Sequence, residues 1–88
     1  MMRDSDLFRA LADPTRLRII RILLGGERCV CEIHPAVKRT QSTVSIQLSR
    51  LVKDGLLSSR REGKRIYYRI RDERISKLLD VVGGSNET

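Results

Sequence analysis

The sequence predicts one small, mainly helical domain with a single β-hairpin set before its last helix, in the order α-α-α-α-β-β-α. Three observations carry that prediction. Apolar residues recur at helical spacing through most of the chain, the repeat drops to two only over residues 57–70, and short capping and turn signals separate the segments. No repeat, low-complexity block or long linker interrupts them. At 88 residues the core is small, so a partner subunit would add stability.

The elements follow in order. DSDLFRALA, residues 4–12, places Leu7, Phe8 and Leu11 on one helical face, with Ser5 or Asp6 as N-cap. In ADPTRLRIIRILLGG, Asp13 caps the next helix and Pro14 takes its first position, where a missing N–H costs nothing. Leu17, Ile20, Leu23 and Leu24 form its core stripe, and Gly25-Gly26 ends it. Residues 30–38 suit a short helix, with Pro35 tolerated near its first turn.

TQSTVSIQLSRLVKDGLL carries the longest helix, capped by Thr40 and closed by a left-handed Gly55. Val44, Leu48, Leu51 and Val52 make its buried face. The opposite side shows Ser42, Thr43, Ile46, Gln47 and Arg50, without an acid. In LSSRREGKRIYYRI, Ile66, Tyr68 and Ile70 alternate with Arg65, Tyr67, Arg69 and Arg71, and Glu62-Gly63 marks the turn. DERISKLLDVV then presents Ile75, Leu78, Leu79 and Val82 as a last helical stripe. Residues 1–82 are expected to form one domain, with 83–88 a frayed tail.

Charge points to the partner. The net charge is +7, yet residues 38–71 hold ten basic and two acidic residues, leaving −1 on the rest. A solvated basic surface is one reading; concentration in one segment favours a polyanion. With one Phe, two Tyr and no Trp, the chain lacks the stacking platforms of single-strand binders, so duplex DNA fits better. An RNA-binding or protein-interaction winged helix is the rival of another class. No Ser/His/Asp set, apolar carboxylate pair or Gly-rich phosphate loop suggests an enzyme. The absence of a spanning apolar stretch or signal peptide points to the cytoplasm and away from a membrane partner. There two cysteines are expected to be reduced, the more so because a Cys-x-Cys bridge closes a cramped ring.

FRALADPTRLRIIRILL, CVCEI, TQSTVSIQLSRLVKDGLL and REGKRIYYRI, in that order, resemble the ArsR/SmtB family of metal- and metalloid-responsive repressors. The likeness runs from about Leu7 to Ile70 and is specific in combination. It implies a homodimeric winged helix-turn-helix that binds a palindromic operator in double-stranded DNA and lets go when an inducer binds. The DNA face would comprise Thr40, Gln41, Ser42, Thr43, Ser45, Ile46, Gln47 and Arg50 of the recognition helix, with Arg61, Lys64 and Arg65 of the wing. Leu7, Phe8 and Leu11 would meet Ile75, Leu78, Leu79 and Val82 across the two-fold axis. Where the family often carries a basic residue and then His, this chain has Ile46 and Gln47. Ile46 suits a thymine methyl and Gln47 an adenine edge.

CVCEI resembles the box at which this family senses arsenite, antimonite or soft metals such as cadmium, lead and zinc. Soft thiolates select soft ions. Residues two apart on a straight helix point about 200° away from each other. Cys29 and Cys31 can therefore grip one ion only at a helix terminus or in a distorted segment. Some arsenite sensors of the family have a third cysteine three residues on, where this chain has His34. With two cysteines in all, His34 is the single candidate for a third protein ligand. The family's other site type needs histidines on the last helix, which has none. The residues themselves leave three readings open: an As(III), Sb(III), Cd, Pb or Zn sensor with no organic cofactor, a redox switch, or two packed thiols.

Overall fold

The computed structural model describes residues 3–83, the last four of them by backbone alone. The order is α1 (Asp4–Ala12), α2 (Pro14–Leu23), β1 (Arg28–Cys29), α3 (Val30–Val37), α4 (Gln41–Lys53), β2 (Leu57–Glu62), β3 (Arg65–Ile70) and α5 (Glu73–Gly83). All five expected helices and the hairpin are present. A two-residue strand, β1, joins the hairpin to make a three-stranded antiparallel sheet in the order β1-β3-β2. Two residues are too few for any periodicity to show in the sequence.

Local chemistry sets most helix ends. The Asp13 carboxylate accepts from the Arg16 N–H (2.9 Å), with Pro14 at the first helical position. Thr40 Oγ1 accepts from the Thr43 N–H (3.2 Å) and caps α4, each cap contributing about 1 kcal/mol. Gly55, at φ 85°, turns the chain out of α4 in the left-handed conformation that a side chain would strain. α1 departs from expectation. It begins at Asp4, before Ser5 and Asp6, and its N-cap residue Arg3 makes no side-chain cap. Pro35 also lies deeper in α3 than its first turn.

The core is assembled from Ile19, Ile20 and Leu23 of α2, Ile33 and Val37 of α3, Val44, Leu48 and Leu51 of α4, Leu56 and Leu57, and Tyr68 of β3. On α2 the buried face is rotated from the expected one. Ile19 is buried, Leu17 is half-buried and Leu24 is exposed, because the helix ends at Leu23 and Leu24 already belongs to the turn.

Leu7 and Leu11 of α1 and Ile75 and Leu79 of α5 join this same core. Expected at the two-fold interface, these four are already covered within the single chain, where α1 packs on α2 and Ile75 and Leu79 of α5 join the same apolar cluster. An ion pair from Arg74 to Asp4 (2.6 Å) ties the two helices together. Phe8 remains 56% exposed and Leu78 half-buried, so the outward apolar surface is smaller than expected. The Val82 side chain, and residues 84–88 of the expected tail, lie outside the described residues; Gly83 ends α5.

Candidate nucleic-acid interface and cysteine site

α3 and α4 form a helix-turn-helix. Val37 ends the first helix, Lys38 takes a left-handed conformation (φ 62°), and Thr40 caps the second. The turn is held from α2: an Arg18 Nη1–H donates to the Val37 carbonyl, and Arg39 Nε–H to Thr15 Oγ1 (both 3.4 Å). With Val44, Leu48 and Leu51 fully inward, the outer face of α4 is Gln41, Ser42, Thr43, Ile46, Ser49, Arg50 and Lys53, all exposed. Most of the predicted DNA face is therefore gathered on one side. Thr40 and Thr43 are joined by a hydroxyl–hydroxyl hydrogen bond (2.9 Å), and Ser45 is half-buried.

Gln47 stands apart. It sits half-buried on the flank of α4, and Arg16 Nε–H of α2 donates to its Oε1 (2.9 Å). Sequence reasoning missed Arg16, because nothing local marks a partner thirty-one residues away.

The wing is the β2–β3 hairpin, registered Leu57↔Ile70 through Glu62↔Arg65. Its two-residue turn is Gly63-Lys64, one residue later than expected, and Gly63 has φ 64°. A positive φ at the first turn position matches the strand twist, and glycine adopts it without strain. Arg61, Lys64 and Arg65 stand exposed around this tip, and none of them forms an ion pair among the described residues. Arg60 is different. It forms a two-pronged pair with Glu27 (2.7 and 2.9 Å), reaches Glu62 (2.6 Å), and stacks on the Tyr67 ring at 4.7 Å. The Arg60 guanidinium holds the Glu27 carboxyl below its ordinary pKa.

Cys29 and Cys31 straddle the start of α3. Cys29 is the N-cap, with extended backbone (φ −77°, ψ 151°), and Cys31 is the second helical residue. The Cys31 N–H donates to Cys29 Sγ (3.2 Å), while the Cys29 N–H donates to Glu32 Oε1 (3.0 Å), a reciprocal capping box. The helix terminus thus brings both side chains to one side, as a shared site requires. Contrary to the expectation of two separate reduced thiols, the structure joins them as a disulfide pair, with Cα atoms 5.2 Å apart. The change from extended to helical backbone makes that approach possible, and the separation falls in the usual range for a bridge. Cys29 is buried and Cys31 exposed. His34 is half-buried on α3. Among the described residues no three His, Cys, Asp or Glu side chains are grouped to hold one ion, so His34 is not brought into a three-ligand set with the cysteines.

β1 carries the cysteine site to the wing directly. Arg28 pairs with Tyr68 and Cys29 with Tyr67 across β1 and β3. Among the described residues no helix is long and apolar enough to cross a membrane.

With this geometry in place, the model of the arsR family of bacterial regulatory proteins matches residues 13–59, from the cap of α2 into the first strand of the wing. The chain belongs to that family. An arsR-family protein is a winged helix-turn-helix transcriptional regulator that binds DNA, and not an enzyme. A helix-turn-helix-type transcriptional regulator of Methanocaldococcus jannaschii is 38% identical over 81 residues, 91% of each chain. A probable mercury resistance operon repressor of Streptomyces lividans is 44% identical over 72 residues, 82% of this chain and 58% of its own. This chain thus spans little more than half of that second relative. Among solved structures, the homodimeric winged helix-turn-helix domain of a possible arsR-family regulator from Mycobacterium bovis matches with a TM-score of 0.80. It is 37% identical, over 94% of this chain and 77% of its own.

Proposed function

We propose that this arsR-family regulator is a cytoplasmic repressor that grips a palindromic operator as a homodimer and releases it when a thiophilic metal or metalloid ion binds the reduced Cys29–Cys31 pair. One observation carries the reading: both sulfurs meet at the N-terminus of α3, one helix before the recognition helix α4. The mercury resistance repressor and the homodimeric domain among the relatives support it. Two converging thiolates fit a soft ion, and the exposed Cys31 leaves it a way in. Remaining ligand positions would be filled from solution, since among the described residues no three His, Cys, Asp or Glu side chains are grouped to hold an ion. The candidates are As(III), Sb(III), Cd(II), Pb(II), Zn(II) and, from the relative's name, Hg(II).

On DNA, α4 would enter the major groove, with Thr40 and Ser42 near phosphate at its start, where helix N–H groups favour anions. Arg61, Lys64 and Arg65 would lie along the backbone from the wing. Half-sites would be spaced by about one turn of the duplex, or multiples of it. At the cysteines, separating the two sulfurs to take an ion would disturb the cap of α3 and, through Cys29, the β1 pairing to the wing.

The test uses reduced wild type, Cys29→Ser and Cys31→Ser bound to a labelled duplex selected by the protein, challenged with each ion in turn. Serine is itself a good N-cap at position 29, and Cys31 is exposed, so both variants should keep DNA binding. Both should lose release. Release of DNA from either serine variant, or no release of wild type by any ion, overturns the metal reading. The pairing of the sulfurs supports a second reading, a thiol–disulfide switch. Under it peroxide releases the wild type, and a reductant restores binding.

A further inference from the structure

Ile46 is 55% exposed, although the fold has no packing use for an aliphatic side chain there. It lies two residues beyond the fully buried Val44 and is therefore turned about 200° from it, at the middle of α4's outer face. Ser42, Thr43, Ser49, Arg50 and Lys53 surround it, and α4 carries no acid. An isolated exposed aliphatic residue is ordinary on a surface. This one is centred in a basic, hydroxyl-rich face, and its β-branch holds it in essentially one rotamer on a helix. In the major groove the apolar feature of a base edge is the thymine 5-methyl group.

Gln47 is constrained in the opposite sense. Reading adenine uses a glutamine's carbonyl oxygen and amide together. Here the Gln47 oxygen already accepts from Arg16 of α2, and the side chain is half-buried against that helix.

We propose that Ile46 sets base selectivity by packing on a thymine methyl group, while Gln47 is a positioning residue that fixes the rotation of α4 against α2 through Arg16. The inference rests on the reading that α4 enters the major groove. It assigns the apolar residue, and not the amide beside it, to sequence readout.

The experiment begins with a duplex selected from a random library by reduced wild-type protein. Each thymine is then replaced in turn by deoxyuridine, which removes only the methyl group. One thymine per half-site should lose about fourfold in affinity, the value of one buried methyl group. Ile46→Ala should bind the thymine duplex more weakly and be indifferent to that replacement. Gln47→Ala should lower Tm and weaken binding evenly across sequences while selecting the same duplex, and Gln47→Glu, still an acceptor for Arg16, should restore Tm. The proposal is overturned if no thymine is methyl-sensitive in wild type, if Ile46→Ala keeps the full sensitivity, or if Gln47→Ala selects a different sequence. A library that yields no preferred duplex overturns the DNA reading itself, and this assignment with it.

Discussion

Glu27, two residues before the first cysteine, holds Arg60 of the wing through both carboxylate oxygens, at 2.7 and 2.9 Å. The pair joins the α2–β1 loop to β2, on the same side as the Cys29–Tyr67 register. Exposed ion pairs add little stability. Their geometry can nevertheless fix a hairpin's angle. Glu27→Gln should therefore leave Tm nearly unchanged, speed amide exchange in β2 and β3, and weaken the response of DNA binding to the inducer. Unaltered exchange in the hairpin would show that the sheet alone orients the wing.

The exposed cations of the wing predict a salt effect. DNA affinity should fall linearly on a log–log plot against salt, because each neutralised phosphate releases counterions. Arg61→Ala or Lys64→Ala should reduce that slope by about one and weaken binding similarly for all sequences. Titrations at several salt concentrations measure it, and a flat response would remove the electrostatic argument. Arg60→Ala should change the slope less, since that guanidinium is already paired with Glu27 and Glu62.

Assembly is best tested at Phe8. Leu7, Leu11, Ile75 and Leu79 are core residues of one chain, so substituting them confuses folding with association. Phe8, at 56% exposure, can be changed without opening a cavity. Phe8→Glu should sediment as a monomer, keep its helical content, and lose operator binding. A dimeric Phe8→Glu protein would place the interface elsewhere.

Asp72 provides a pH dependence. Its side chain is only 8% exposed and pairs with Arg74 (2.6 Å), while it also accepts from the Arg74 backbone N–H (3.0 Å) at the start of α5. The Arg74 guanidinium holds the carboxyl below its ordinary value of 3.8, against the opposing effect of burial. A depressed folded pKa stabilises the fold fully above the unfolded value, and the contribution disappears as pH falls through the folded one. Asn also caps helices, so Asp72→Asn removes the charge and retains the cap. The Tm gap between wild type and Asp72→Asn should hold steady above about pH 5, narrow as pH falls past about 3.8, and close only below the depressed folded pKa. A gap that persists at the acid end would mean the carboxylate charge is not its source.

Features whose causes are local were legible in the amino-acid order. Asp13-Pro14, Thr40 and Gly55 mark helix ends within one turn of the groups they satisfy, and the Val44, Leu48, Leu51 stripe names the buried face of α4 without its partners. The switch of period at residues 57–70 announces the wing in the same way. Features set by distant neighbours were not legible there. Leu7 and Ile75 have the same apolar pattern whether they face a second subunit or their own core, and only the folded chain shows both within one core cluster. Gln47 looks like an open reading residue until Arg16, thirty-one positions earlier, takes its oxygen. The two cysteines, opposed on an ideal helix, come together because the helix begins between them. Periodicity and capping are properties of neighbouring residues, whereas burial and pairing are settled by where the rest of the chain comes to lie.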